Sequence, residues 1–282
     1  MTTKTELKIE IDARHRYTIN GKPAAGVTKV LGFKDKSLGL MPWAAGCASE
    51  FALEDVARSA AVFSLLRDDP YVAGTVAQQF ARFLDGQKLD ALLGENETVN
   101  HALRFLAEMR NAHRERKETA ASRGKAVHEA IEHHLRGEEV GALADPLVAN
   151  GFAAYLSWQD AIGFSPLGVE VKVGSASEMV AGTLDAVGVC GTGDIALLDW
   201  KTGKGIYDTH YAQAATYARY WEQMNAERVG AIFVVRLDKE TGAPEPHQVS
   251  AEMRAEGERM FAGCLAVYRS SAEMGKLMRR AK

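Results

Sequence analysis

Gly182-Thr183-Leu184-Asp185-Ala186-Val187, then Cys190-Gly191-Thr192-Gly193-Asp194, then Ala196-Leu197-Leu198-Asp199-Trp200-Lys201-Thr202-Gly203-Lys204: these three stretches decide the fold. The outer two have strand character, and the middle one, with two glycines about a threonine, is a turn. Alternate side chains of a strand take opposite faces. Asp199 and Lys201 therefore share one face, with Leu198 and Trp200 on the other, and Asp185 shares a face with Thr183 and Val187. A hairpin through the turn brings Asp185 close to Asp199. Two buried carboxylates side by side repel, and one must stay protonated unless a cation joins them. Hard oxygen ligands suit Mg²⁺ or Mn²⁺ rather than zinc. Such an ion lowers the pKa of water and offsets charge on a phosphoryl group. Lys201 is then placed to orient an attacking water or to neutralise the transition state. The plainer alternative is structural: an ordinary salt bridge at a strand end, or a buried pair without chemistry.

Around this hairpin the pattern is regular. Gly168–Val173 and Glu178–Cys190 alternate with period two, and Ile195–Lys201 is the strand carrying Asp199. Asp208–Asn225 is helical with Asp208 as N-cap, followed by a β-rich run, Val229–Leu237, and one or two closing helices over Ala251–Met278. Upstream, a helix starts at Ser122 with Ala126, Val127, Ala130, Ile131 and Leu135 as its apolar stripe and Gly137 as its stop; another spans Pro146–Ala161. From Ser122 to Leu237 this order predicts an α/β fold with a mixed central β-sheet flanked by helices. Residues 1–121 differ. Leu7–Ile11 and Arg16–Ile19 are strands, Asn20-Gly21 is a tight turn, and Val27–Leu31 is expected to pair back, giving a β-meander. Helices are expected over Trp43–Ser59, Tyr71–Leu84 and Val99–Thr119, with breaks at Asp69-Pro70 and Gly94-Glu95-Asn96. The expected domains are 1–121, a meander and helical region covering the site, and 122–282, a core with its C-terminal helices.

The 282 residues are 46% hydrophobic and 25% charged, ordinary values that exclude disorder and allow a sizeable core. A formal net charge of −3 gives no global field for a polyanion, so a nucleic acid must be met by a local basic groove. The three cysteines, Cys47, Cys190 and Cys264, form no CxxC pair. That excludes a disulfide framework and a zinc knuckle, and a reduced cytoplasmic protein is expected. The polar N-terminus has no signal-peptide run, and no apolar stretch reaches the roughly 20 residues of a membrane span. GxxxxGK[ST] is absent, and Gly203 with Gly205 does not make a phosphate loop.

Four motifs now stand in order: Arg123-Gly-Lys-Ala-Val-His128, Gly182-Thr-Leu-Asp185, Leu197-Leu-Asp199-Trp-Lys201-Thr-Gly203 and Gln213-Ala-Ala-Thr-Tyr217. Together they resemble the PD-(D/E)XK nuclease superfamily, and within it the RecB-like exonucleases of phages, CRISPR systems and mitochondrial genome maintenance. The resemblance covers about Arg123 to Leu237; Tyr17-Thr-Ile-Asn-Gly21, Gly26-Val-Thr-Lys-Val-Leu31 and Leu40-Met-Pro-Trp43 are more loosely similar to phage exonuclease openings. It implies a restriction-endonuclease-like αβββαβ core in which Asp185, Asp199 and Lys201 are catalytic. It implies that Asp185, Asp199, the backbone carbonyl of Trp200 and the His128 imidazole hold the metal, with Glu170 as an outer ligand. Gln213 and Tyr217, on one helix face, would contact substrate or hold the lysine, with Arg123 and Thr202 as further substrate contacts. Read alone, His128 is a polar residue of an amphipathic helix, Glu170 a solvated strand glutamate and Tyr217 a core tyrosine; His133 and His134 are expected to face solvent. The chain departs from the pattern in lacking a proline before Asp185, and its scattered cysteines cannot hold the iron–sulfur cluster of some relatives.

The implied activity is a Mg²⁺- or Mn²⁺-dependent DNA exonuclease acting on single strands or duplex ends. Its setting would be phage or bacterial recombination, replication or repair, with a recombination or replication protein as partner and no membrane. Trp43, Phe51, Phe80 and Phe83 are candidates for stacking bases, core packing being the alternative. Two other functions share these residues: an endonuclease on the same core, and a non-catalytic DNA-binding recombination partner.

Overall fold

The computed structural model describes residues 7–33 and 37–280, with the backbone alone over 37–45. The chain divides into two compact units, one from residues 1–35 and 122–282, the other from 36–121. The first opens with β1 (Ile9–Ile11), β2 (Tyr17–Ile19) and β3 (Lys22–Gly26). β2 and β3 meet at Asn20-Gly21, where φ is +49° and +72°, the paired positive angles of a two-residue hairpin turn. α1 (Val27–Leu31) follows at once.

The second unit holds α2 (Ser37–Glu54), α3 (Val56–Asp68), α4 (Pro70–Leu84) and the first part of α5 (Glu97–Leu135). Two aspartates start its helices. Asp55 accepts from the Arg58 amide, and Asp69, before Pro70, accepts from those of Tyr71 and Val72, satisfying donors that a helix start leaves open. Val62, Val72, Val76, Val99, Leu103 and Phe105 form its core. Phe51 and Phe80 pack against that core, and Arg110 lies over the Phe83 ring at 5.0 Å. These three aromatics are packed residues; the side chain of Trp43 lies outside the described residues.

The first unit resumes with the end of α5, then α6 (Pro146–Ile162), β4 (Ser165–Ser175), β5 (Val180–Val189), β6 (Ile195–Lys201), α7 (Asp208–Asn225), β7 (Ala231–Leu237), β8 (Pro244–Gln248) and α8 (Ala251–Arg280). All eight strands belong to one mixed sheet, in the order β1-β2-β3-β5-β6-β7-β8, with β4 on the other edge of β5. β5 runs antiparallel to β4 and β6, parallel to β3, and β6 runs parallel to β7. Two cores cover the two faces. Leu184, Leu197, Ala214, Tyr217, Ala218 and Phe261 pack on the α7 and α8 side. Val127, Ile131, Tyr155, Trp158, Leu198 and Trp200 pack on the side of α5 and α6. Burying a side chain of Leu or Val size contributes about 1.5–3 kcal/mol, so both faces anchor the sheet. Among the described residues no helix is long and apolar enough to cross a membrane.

The α/β expectation holds at this level, and several boundaries move. Val27–Leu31 is helix, not a pairing strand; the third strand of the meander is Lys22–Gly26. Through β3 the meander joins the main sheet, so residues 1–35 group with the core and only 36–121 form the separate helical unit. No helix begins at Ser122, because α5 runs through it unbroken for 39 residues. The N-cap of α7 is Tyr207 rather than Asp208. His133 is exposed and paired with Glu138 at 2.7 Å. His134 is not a solvent residue: its Nε2 meets Gln159 Oε1 at 2.8 Å and its ring packs on Phe152 and Tyr155.

Candidate functional site

The sheet forks at the sequence Gly182–Asp185. One edge of β5 is paired with β4 along its length. Its other edge is shared: β3 pairs at Val180 and Ala181, and β6 pairs from Ala186 to Val189. Residues 182–185 lie between the two partners. One step beyond the Ala186–Leu198 pair, where the ladder stops, Asp185 and Asp199 come level. In place of a backbone acceptor, the Trp200 amide donates to Asp185 Oδ2 at 2.9 Å. On the other side of the fork Tyr17 OH meets Thr183 Oγ1 at 3.0 Å.

Alternation changes phase at this level. Val169 and Ala186 pack on the α6 side, whereas Val171 and Leu184 pack on the α7 side. Between them stand Glu170 and Asp185, and Glu170 has φ +53°, an angle rare for a glutamate and costing about 1–3 kcal/mol. Asp185 therefore does not share a simple face with Val187, which packs with Leu184 on the α7 side; the expected two-residue period is broken where the carboxylate sits. β6 keeps its period, with Leu198 and Trp200 on the α6 side and Leu197 on the α7 side.

Lys201 Nζ lies 2.6 Å from Asp199 Oδ2, and the two side chains are 19% and 2% exposed. The contact is close but poorly aligned, since Oδ2 is buried and accepts no well-formed hydrogen bond. Lys201 also donates to Gln213 Oε1 at 3.3 Å, and Gln213 Nε2 donates to Tyr217 OH at 3.1 Å. Gln213 and Tyr217 thus hold the lysine from behind. Burial raises Asp185 from 3.8 to about 6, against the pull of Lys201 and the Trp200 amide. Burial also raises Asp199 to about 6, with Lys201 opposing and Asp185 adding to it. Burial works to lower Lys201, but the two carboxylates outweigh it and hold its pKa above the usual value. The ammonium is the counter-charge to the two carboxylates.

His128 Nδ1 is 3.6 Å from Asp185 Oδ1. Burial, then the Lys201 charge, lower its pKa to about 4, so the imidazole is neutral at pH 7 and the contact is no ion pair. A neutral ring keeps a lone pair for a ligand. Glu170 is raised to about 7 by burial first and then by Asp185 and Glu132. Arg123 has another partner: its Nε donates to Asp145 Oδ2, the N-cap carboxylate of α6, at 2.7 Å. Thr202 packs on α5, where a Cβ placed on Gly124 would lie 2.7 Å from Thr202 Oγ1. The fork gathers Asp185, Asp199, Lys201, Gln213 and Tyr217, with His128 at its rim, and Arg123 stands apart in its own ion pair.

Two members escaped the sequence reading. Glu132, one turn beyond His128 on α5, acts on both His128 and Glu170, and its i,i+4 spacing from His128 was an available signal. Tyr17 comes from the meander across a long chain separation, and no local pattern announces it.

The donor set suits a hard divalent cation: two carboxylates that come level where the ladder stops, beside a neutral imidazole. Among the described residues no three His, Cys, Asp or Glu side chains are drawn into a ready cage. A cation would therefore be met first by Asp185 and Asp199, and His128 or Glu170 would have to turn toward it.

Gly182 leaves no room for a side chain. A Cβ there would lie 2.5 Å from Tyr217 Cε1 and 2.9 Å from its hydroxyl, and Tyr217 is buried. Gly182→Ala is expected to destabilise the protein by about 1–3 kcal/mol. It should shift Tyr217 and, through their hydrogen bonds, Gln213 and Lys201. Urea unfolding checks this; an unchanged midpoint would show that Tyr217 gives way without cost. No family model matches the chain, and a search of curated proteins finds no match.

Proposed function

We propose that the chain is a Mg²⁺- or Mn²⁺-dependent DNA exonuclease with a restriction-endonuclease-like core, related to the RecB-like branch of the PD-(D/E)XK nucleases. The observation that carries this reading is the fork itself. Asp185 and Asp199 come level where β5 and β6 part, Lys201 lies on Asp199 at 2.6 Å, and Gln213 ties that lysine to Tyr217. A purely structural ion pair would need neither a second carboxylate raised to about 6 beside it nor a glutamate held at a strained angle on the next strand.

When bound, the divalent ion would supply a Lewis acid for the phosphoryl group and lower the pKa of water. The chain does the rest. Asp185 and Asp199 would hold the ion, and the Trp200 amide fixes Asp185 for it. Lys201 would direct its ammonium at the oxygens on which charge develops, and Gln213 accepts a hydrogen bond from it beside Asp199. His128, neutral at pH 7, offers a nitrogen from α5.

The test is digestion of DNA labelled at the 5′ or the 3′ end, single- and double-stranded, beside covalently closed circles, with Mg²⁺, Mn²⁺ or EDTA. Metal-dependent loss of linear DNA with circles spared is expected. Cutting of circles would make the protein an endonuclease, and intact DNA under every metal would remove catalysis from the reading.

A further inference from the structure

A cavity of about 700 Å³ opens beside the fork, with Tyr17, Lys29, Gly182, Tyr217, Tyr268 and Arg269 in its wall. We propose that it holds an unpaired stretch of the DNA strand next to the phosphate being cut, a proposal that rests on the nuclease reading above. Position is the first argument. Tyr217 and Gly182 belong to both places: Tyr217 OH accepts from Gln213 Nε2, and Gln213 Oε1 accepts from Lys201. Tyr17 reaches Thr183, two residues before Asp185. A strand lying in the cavity therefore ends two hydrogen bonds from the lysine.

Charge is the second argument. The chain as a whole carries −3, yet this wall has three cations, Arg16, Lys29 and Arg269, and one carboxylate, Glu178. That carboxylate is already engaged by Arg219, at 2.8 and 3.0 Å, and by the Tyr220 hydroxyl. Arg16 is paired with Asp12 at 2.7 Å. Lys29 is exposed, with its Nζ 5.9 Å from the Tyr268 ring centre, and Arg269 donates to the backbone oxygen of Glu178. Among the described residues neither has a salt bridge to a carboxylate, and both line the cavity, Lys29 as its freer charge.

Shape is the third. A cavity this size is on the scale of small-ligand pockets, about 300–1,000 Å³, and admits unstacked nucleotides but not a duplex. Cations beside tyrosine rings are what a single strand needs, phosphates meeting the charges and bases the ring faces.

The experiment is fluorescence anisotropy of a labelled single-stranded oligothymidylate, in EDTA so that the strand is not cut, with Lys29→Ala and Tyr268→Leu beside the native chain. Lys29 is exposed, so its loss leaves the core untouched, and leucine preserves an apolar side chain against Phe33, whose ring meets Tyr268 at 5.3 Å. Each variant is expected to weaken binding by about fivefold or more. Lys29→Ala should also flatten the dependence of log affinity on log salt by about 0.7, whereas Tyr268→Leu should leave that slope alone. Native-like affinity in both folded variants, or equal competition by blunt duplex of the same length, overturns the proposal. The two readings fail separately. If DNA is cut but both variants bind and cut like the native chain, the cavity assignment falls and the nuclease stands. If the oligonucleotide binds through Lys29 and Tyr268 but no DNA is ever cut, the strand site stands and the nuclease reading falls.

Discussion

Replacing Lys201 with alanine is expected to lower metal-dependent DNA cleavage by about 10²–10³-fold, the usual cost of removing one preorganised donor from a charge-developing site. The same change should destabilise the metal-free protein. Lys201 is the cation that faces Asp199 at 2.6 Å and pulls down both raised carboxylates. Breaking a buried pair by removing one partner costs about 3–5 kcal/mol, and protonation of the orphaned carboxylates recovers part of it. A divalent cation can take over the lost charge, so Mg²⁺ should stabilise the alanine variant more than it stabilises the native chain. Cleavage of linear DNA, with thermal unfolding in EDTA and in Mg²⁺, reads both effects. Cleavage within threefold of native in a folded variant would leave Lys201 a structural cation and remove it from the chemistry.

What sequence could reveal here followed the range of the physics involved. Ile195–Lys201 was legible because a strand with both faces covered still keeps its period of two, and the hairpin to β5 was legible from the glycine turn at 191–193. Gln213 and Tyr217 needed only helical spacing to share a face. Short-range patterns failed where a distant contact decided the outcome. Val27–Leu31 is β-branched and apolar, yet it forms a helix whose Val27, Val30 and Leu31 are buried. A helix ending at Thr119 and another starting at Ser122 were expected, but α5 runs unbroken from Glu97 to Leu135, with Gly124 lying close on Thr202. β8 begins Pro244-Glu-Pro, which reads as a loop, and survives as a strand because it lies at the sheet edge, where proline is tolerated. The phase change at Glu170 is invisible in sequence, since nothing about a glutamate announces a positive φ. The hairpin that brings Asp185 and Asp199 together was thus readable, while the phase change that sets their faces was not.

Asp199→Asn is expected to abolish cleavage and yet stabilise the metal-free protein at neutral pH. Burial raises Asp185 and Asp199 from 3.8 to about 6. A carboxylate whose folded pKa lies above its unfolded one holds its proton more tightly when folded. Between about pH 4 and 6 the folded state then carries more protons than the unfolded one, so stability falls as pH rises through that window and levels off above it. A shift of two units corresponds to about 3 kcal/mol; the two carboxylates share Lys201 and titrate together, so the loss for the pair is on the order of 3 kcal/mol rather than twice that. Asparagine keeps the shape of Asp199, leaves Asp185 as the carboxylate acting on Lys201, and takes the metal-free site from one net negative charge to none. The variant should therefore show a flatter profile in EDTA and exceed the native chain by about 1–3 kcal/mol at pH 7.5. With Mn²⁺ the order should reverse. A cation that binds the folded chain alone stabilises it by mass action, about 2.7 kcal/mol at a hundred times its dissociation constant, and the variant has lost one of the two carboxylates that would receive it. Urea unfolding of both proteins across this pH range, in EDTA and in saturating Mn²⁺, separates the alternatives. A native profile that stays flat in EDTA would mean that Asp185 and Asp199 are not raised by burial. Equal stabilisation of both proteins by Mn²⁺ would mean that the ion binds elsewhere, and the two carboxylates at the fork would then be a buried structural pair held by Lys201.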